Sequence, residues 1–320
     1  MHNVYTPPFL FRNGYLSSIY PSLFRKSEHN IENTCHIVHT RDGDVLEYDW
    51  YKQGSDKVAL ISHGLGGHNK RPYILGMVQA LYEDGWDVIA WNYRGSGDQS
   101  NIKPVLYHGG SIDDLEDVIQ HIEGKSLYKV ISLIGFSLGG NINLLYLGKK
   151  HAEIPSSIKK AVCFSTPCDL KSSAMELGRF KNKFFMRHFL KSFEKIISRK
   201  HAQYPELINI DNFKQVGNFQ QYDDMYTAPL HGFKDANDYW ESCSCKKYLK
   251  NIQQKVLLVT AQDDPFLGKE CYPIHEVNNN SNLSLLMPRH GGHVGFVLPK
   301  SKGRYWSEET AIKYLNNKGM

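Results

Sequence analysis

The stretch Val130-Ile131-Ser132-Leu133-Ile134-Gly135-Phe136-Ser137-Leu138-Gly139-Gly140-Asn141 decides how the rest of the chain is read. A short apolar run rich in β-branched residues stops at Gly135, a serine follows two residues on, and a helical pattern begins at Asn141 after two more glycines. This is a strand, a tight turn and a helix. Gly135-Phe136-Ser137-Leu138-Gly139 has the form G-x-S-x-G, in which flanking glycines let strand and helix approach and the turn lifts the hydroxyl clear of the backbone. Ser137 is therefore a candidate nucleophile. The N–H of Leu138, at the positive end of the helix, is a candidate donor to an oxyanion.

Working outward, Val58-Ala59-Leu60-Ile61-Ser62 reads as another buried strand, running into His63-Gly64-Leu65-Gly66-Gly67, where the backbone can turn sharply with its N–H groups exposed. Residues 45–50 alternate apolar and polar side chains after a turn at 41–44 and read as the start of the sheet, with residues 1–40 as an N-terminal arm over the domain. Pro72 opens a helix to about residue 84, residues 87–91 form a strand, and 92–101 a polar, glycine-punctuated loop. Ser111 and Asp114 resemble a capping box ahead of the stripe Ile112, Leu115, Ile119 and Ile122. Beyond the turn at Ser137, a helix runs to about residue 150 and a strand covers 160–165.

From about residue 169 to 231 this alternation stops, and no buried strand is evident. An insertion between two sheet strands can cover a site without disturbing the core, so this stretch reads as a lid. The core would then comprise 41–168 and 232–320. Between residues 171 and 200 nine Lys or Arg stand against two Glu, with Phe185, Phe189, Phe193, Ile196 and Ile197 near helical spacing. A helix packed on the body with a solvated basic face accounts for this pattern; phenylalanines exposed beside Lys181, Lys183, Arg187, Lys191 and Lys195 would instead suit peripheral contact with an anionic membrane. The alternation resumes with a strand at 255–259 ending in Asp263-Asp264-Pro265-Phe266. A last strand at 283–287 leads into His290-Gly291-Gly292-His293, and a final helix starts at Ser307. The whole predicts an α/β fold: a mostly parallel sheet with helices on both faces.

Composition narrows the alternatives. With 320 residues, 41% of them hydrophobic, the chain can bury a large core, and no apolar stretch reaches the length of a membrane span. The start of the chain lacks the charge and apolar pattern of a secretory signal, and six cysteines without a CxxC pair suit a reducing compartment, so we expect a cytoplasmic protein. Cys243-Ser244-Cys245 lacks the partner pair a metal site requires. A net charge of +5 with no nucleic-acid-binding motif argues against a nucleic-acid partner.

A serine hydroxyl is a poor nucleophile at neutral pH and needs an imidazole to take its proton and a carboxylate to orient that imidazole. The order serine, acid, histidine, each on a loop after a strand, is that of α/β-hydrolases. The chain resembles the YheT-like branch of the α/β-hydrolase superfamily, related to ABHD-type esterases and lipases, over nearly its whole length. The resemblance rests on Arg12-Asn13-Gly14, Ser62-His63-Gly64-Leu65, Asn92-Tyr93-Arg94-Gly95, Tyr107-His108-Gly109-Gly110, the Ser137 motif, Asp263-Asp264-Pro265-Phe266 and Gly291-Gly292-His293-Val294-Gly295-Phe296. It departs from that pattern at Gly66, where relatives often carry an acidic residue, and at Ser96, where they often have cysteine. The resemblance implies a serine hydrolase of small-molecule acyl esters, short to medium in chain length, using a Ser-Asp-His triad and no metal or organic cofactor. Ser137 would be the nucleophile, and the N–H groups of Leu65 and Leu138 the oxyanion donors. Asp263 and Asp264 compete for the acid, with Asp264 favoured by its place before the proline; His293 is favoured over His290 by the Gly-Gly-His pattern. His63 and His108 read as loop-ordering residues. An acyltransferase, or a non-catalytic ligand-binding protein of the same fold, are the alternatives.

Overall fold

The computed structural model describes residues 5–25, 31–98, 101–298 and 303–317. Parts of the expected 1–40 arm (1–4 and 26–30) and of the 92–101 loop (99–100) lie outside the described residues. Eight strands form one sheet in the order β1-β2-β4-β3-β5-β6-β7-β8. They are β1 (Thr34–His39), β2 (Val45–Tyr51), β3 (Lys57–Ser62), β4 (Asp87–Trp91), β5 (Val130–Phe136), β6 (Ile158–Phe164), β7 (Lys255–Val259) and β8 (Leu283–Leu286). The β1–β2 and β2–β4 pairs are antiparallel; all others are parallel.

Near-continuous apolar strands are needed because both faces are covered, and successive side chains go to opposite faces. Thus Val58, Leu60, Leu133 and Cys163 belong to the core under α3 (Ile112–Gly124) and α4 (Leu138–Lys149). Their neighbours Ala59, Ile61, Ile134 and Val162 pack with α2 (Pro72–Glu83) and the C-terminal helix Trp306–Leu315 on the other face.

Two local expectations are corrected. The sheet begins at β1, inside the stretch read as an arm; among the described residues β1 is an edge strand paired with β2 alone and largely exposed, so it lacks a buried strand's apolar pattern. Ser111 does not cap α3 through its side chain; its Oγ accepts a 3.0 Å bond from the His108 N–H. Asp114 turns instead to Arg94.

Arg94 follows β4 and is nearly buried, with its guanidinium bonded to Asp42, Asp44 and both oxygens of Asp114 at 2.6–3.1 Å. Its neighbours also tie the loop down: Asn92 donates to Glu47, and the Tyr93 hydroxyl donates to the His63 carbonyl.

Between β6 and β7 the described chain contains no strand. It holds α5 (Leu170–Leu177), α6 (Lys183–Gln203), short helical turns and the helix Ala236–Cys243. On α6 three of the four phenylalanines face inward: Phe193 is buried, while Phe185 and Phe189 are half-buried and meet the Phe266 ring edge-on at 4.6 and 5.9 Å. These three rings therefore form part of the interior wall, as the packed-helix reading expects and against the exposed-stripe alternative, and the exposed phenylalanines of this segment are Phe180 and Phe184.

Removing the Arg94 guanidinium would strand two buried carboxylates. Arg94→Met should lower the unfolding free energy by about 3–5 kcal/mol in denaturant titration, the range for breaking a buried ion pair. A loss within ordinary surface-mutation range would show that this network does not hold the loop.

Candidate active site

Ser137 occupies the turn between β5 and α4 with φ 52° and ψ −117°, a conformation that non-glycine residues rarely adopt. The turn is tight because Gly139 lies against the carbonyls of Ser62 and His63, where a Cβ would overlap backbone oxygen. The Ser137 N–H donates to the Phe164 carbonyl at 2.8 Å, and its own carbonyl accepts from Gly140. The hydroxyl takes no part in these backbone bonds and stands at the N-terminus of a helix buried almost all round.

Loops after β7 and β8 bring Asp264 and His293 to this hydroxyl. His293 Nε2 lies 2.9 Å from Ser137 Oγ, and Nδ1 lies 2.9 and 3.1 Å from the two oxygens of Asp264. With the ring proton on Nδ1, donated to Asp264, Nε2 is left to accept from the serine. The Asp264 side chain is fully buried and that of His293 nearly so. Phe266 stacks on the imidazole at 4.2 Å.

Asp263 lies apart from this chain of contacts. It accepts from the Gly292 N–H at 2.8 Å and lies 3.4 Å from His290 Nδ1, with its carboxyl raised by burial first of all. It ties the acid loop to the histidine loop, and His290 belongs to that tie.

Around the site the amides are sorted. Gly64 N–H donates to the Tyr73 hydroxyl and Gly66 N–H to the Tyr107 hydroxyl, both at 2.9 Å. Between them, the N–H of Leu65 makes no bond to protein among the described residues, and neither does that of Leu138. Both residues line the pocket that contains Ser137 and His293. His63 is buried, its ring nitrogens near the Gly64 carbonyl and Ser96 Oγ, and burial depresses it to about 3. Half-buried His108 is likewise depressed, by desolvation first, and its Nδ1 accepts from Gly110 N–H. Asn141 joins this loop to α4, donating to the Gly109 carbonyl.

Several contributors escaped the sequence reading. In α1 (Gly14–Phe24), Ser18 Oγ accepts from the His293 N–H at 2.7 Å, and Ser17 Oγ donates to the Gly291 carbonyl at 2.9 Å. Gly14 lies so close to Asp263 that a Cβ would meet its carbonyl oxygen. The Arg12-Asn13-Gly14 motif was the available signal: Asn13 caps α1, and the glycine permits the approach. The pocket wall, mostly aliphatic and aromatic, also carries Asp223, whose oxygens accept from Thr227 Oγ1 at 2.6 Å and Trp240 Nε1 at 2.8 Å.

The profile of the alpha/beta hydrolase fold matches residues 58–299, and the chain belongs to that family. It is a hydrolase of the esterase and lipase type. YheT of Escherichia coli (strain K12) is 29% identical over 293 residues, covering 90% of this chain and 85% of that one. Phospholipase ABHD3 of Mus musculus is 28% identical over 273 residues, 82% of this chain and 66% of the relative. Monoacylglycerol lipase of Saccharomyces cerevisiae is 27% identical over 265 residues, 80% of this chain and 58% of the relative, so the chain spans less than two thirds of either. The solved Pyrococcus furiosus esterase Pf2001 shares the fold, with TM-score 0.61 over 90% of this chain and 93% of that one at 18% identity. Among the described residues, no helix is long and apolar enough to cross a membrane.

Burial pushes the Asp223 carboxyl from 3.8 up to about 7. Between those values the folded chain keeps a proton that the unfolded chain has released, so stability falls as pH rises through the window. In urea titrations from about pH 4 to 7, Asp223→Asn should show a shallower fall in unfolding free energy than the wild type. Equal slopes would contradict a protonated carboxyl in the pocket wall.

Proposed function

We propose that the chain hydrolyses carboxylic esters with short to medium acyl groups through an acyl-enzyme on Ser137. In this reading His293 takes the serine proton as Oγ attacks the ester carbonyl, and Asp264 holds the ring and stabilises the imidazolium. The N–H groups of Leu65 and Leu138 receive the oxyanion. The imidazolium then protonates the departing alcohol, and water, deprotonated by the same ring, releases the acid. The observation that carries the reading is the 2.9 Å approach of His293 Nε2 to Ser137 Oγ, with Asp264 on the other ring nitrogen.

The pocket beside these residues supports the choice of acyl group. Its walls include Leu65, Leu170, Leu177, Phe189, Phe193 and Phe266, and it encloses about 90 Å³. Pockets for drug-sized ligands run to several hundred Å³, so a short chain fits best unless α6 moves. We assign residues 169–231 the role of a lid on this basis. Contact with an anionic lipid surface would in this proposal fall to Phe180 and Phe184, exposed among Arg179, Lys181 and Lys183.

Steady-state hydrolysis of p-nitrophenyl butyrate tests the roles. Ser137→Ala should abolish turnover, and Asp264→Asn should lower kcat by roughly 10³–10⁴ through the wrong histidine tautomer. Asp263→Asn, which keeps an acceptor for Gly292, should cost less than about tenfold. A larger loss at Asp263 than at Asp264 would transfer the acid role.

A further inference from the structure

A second cavity of about 400 Å³ lies between the loop after β3, the turn after β4 and the outer part of α6. It shares Tyr107 and Ile196 with the apolar pocket, so the two meet across those side chains. Tyr107 also holds the Gly66 N–H, the amide next to Leu65. The cavity thus opens at Gly66, the residue after the proposed oxyanion donor Leu65, and its lining is otherwise distinct from that of the acyl pocket.

The two cavities differ in charge. Among its described lining residues the second carries Lys70, Arg71, Lys195 and Arg199 against the single carboxylate of Asp98. Lys70 pairs with Asp98 at 2.6 Å, and Arg71 donates to the Gly66 carbonyl at 3.0 Å, leaving its guanidinium charge uncompensated. Lys195 and Arg199, one helical turn apart on α6, have no carboxylate partner among the described residues. His68, at the same wall, is held below its usual value by burial and then by Arg71 and Lys70. Lysine and arginine are absent from the described lining of the apolar pocket.

Ester cleavage separates an acyl part from an alcohol part, and each must have room beside the attacked carbonyl. An apolar wall suits the acyl chain, and three uncompensated cations suit an anion, most of all a phosphate, which accepts from guanidinium and ammonium donors together. We propose that this groove is the subsite for the alcohol portion of the substrate and takes one that bears a phosphate, with Lys195 and Arg199 as specificity-determining residues. The proposal rests on Ser137 being the nucleophile of an esterase.

The test compares 1-octanoylglycerol 3-phosphate with uncharged 1-octanoylglycerol, both in monomeric solution, with p-nitrophenyl butyrate as a neutral reference. The wild type should prefer the phosphate ester at least tenfold in kcat/KM. The double variant Lys195→Glu, Arg199→Glu should lose that preference, mainly through KM, while its p-nitrophenyl butyrate turnover stays within about twofold. Both positions are exposed, and an unchanged Tm would confirm that folding is intact. A second arm presents the palmitoyl forms of the same pair in phosphatidylcholine vesicles. Preference in solution assigns the groove to a soluble phosphate ester, and preference in vesicles alone assigns it to a lipid headgroup. Absence of preference in both arms, or a preference that survives the double reversal, overturns the subsite. A wild type that hydrolyses none of these esters removes the esterase reading and the subsite with it, whereas neutral turnover without phosphate preference removes the subsite alone.

Discussion

The arrangement depends on one backbone conformation, Ser137 at φ 52° and ψ −117°. Such a conformation costs roughly 1–3 kcal/mol and persists only where its surroundings over-determine it. Here they do. Strand β5 is paired on both sides, Gly135 standing opposite Ser62 of β3 and Cys163 of β6, so the strand cannot relax by sliding. The helix that follows is buried from Leu138 to Gly148 and packed against the close contact at Gly139. Sheet and helix together hold the turn open, and the serine hydroxyl faces a pocket as a result.

The other two groups reach the serine on loops, which need bracing. The histidine loop contains Gly291 and Gly292, both at positive φ, and glycine loses more conformational freedom on ordering than other residues. Opposite ends of this loop are held by different partners. Ser17 and Ser18 of α1 bind Gly291 and His293, and the Ser165 hydroxyl, after β6, accepts from Val294 N–H at 3.0 Å. Asp263 adds a bond to Gly292. The N-terminal helix, remote in sequence, is thus part of the support for the imidazole. Arg94 plays a comparable part for the loop near the expected oxyanion segment, since Tyr93 beside it bonds to the His63 carbonyl.

Much of this was legible in the residues because local chemistry dictated it. Strands β3, β5, β6 and β7 lie inside the sheet, and their apolar runs admit little other reading. The G-x-S-x-G turn carried its own geometry. What stayed hidden depended on distant partners. Strand β1, Thr-Cys-His-Ile-Val-His, has one neighbour and water on much of its surface among the described residues, so despite its β-branched Thr, Ile and Val it lacks the continuous apolar run of the inner strands. Helical spacing identified the Phe185, Phe189 and Phe193 stripe, but periodicity defines a face without saying what lies opposite; Phe266 and Phe219 do, and they come from elsewhere in the chain. Ser18 is one of many serines until His293 is folded against it. Asp223 reads as half of an ordinary Asp-Asp pair until Trp240 and Thr227 enclose it.

The central claim is that the strained turn makes Ser137 the nucleophile. Its most direct test is reaction of the full chain with a fluorophosphonate, followed by peptide mapping of the adduct by mass spectrometry. The account predicts one adduct per chain, on the peptide bearing Ser137, and slower labelling after His293→Ala. An adduct on another residue, or labelling of the His293→Ala variant at the wild-type rate, would contradict it.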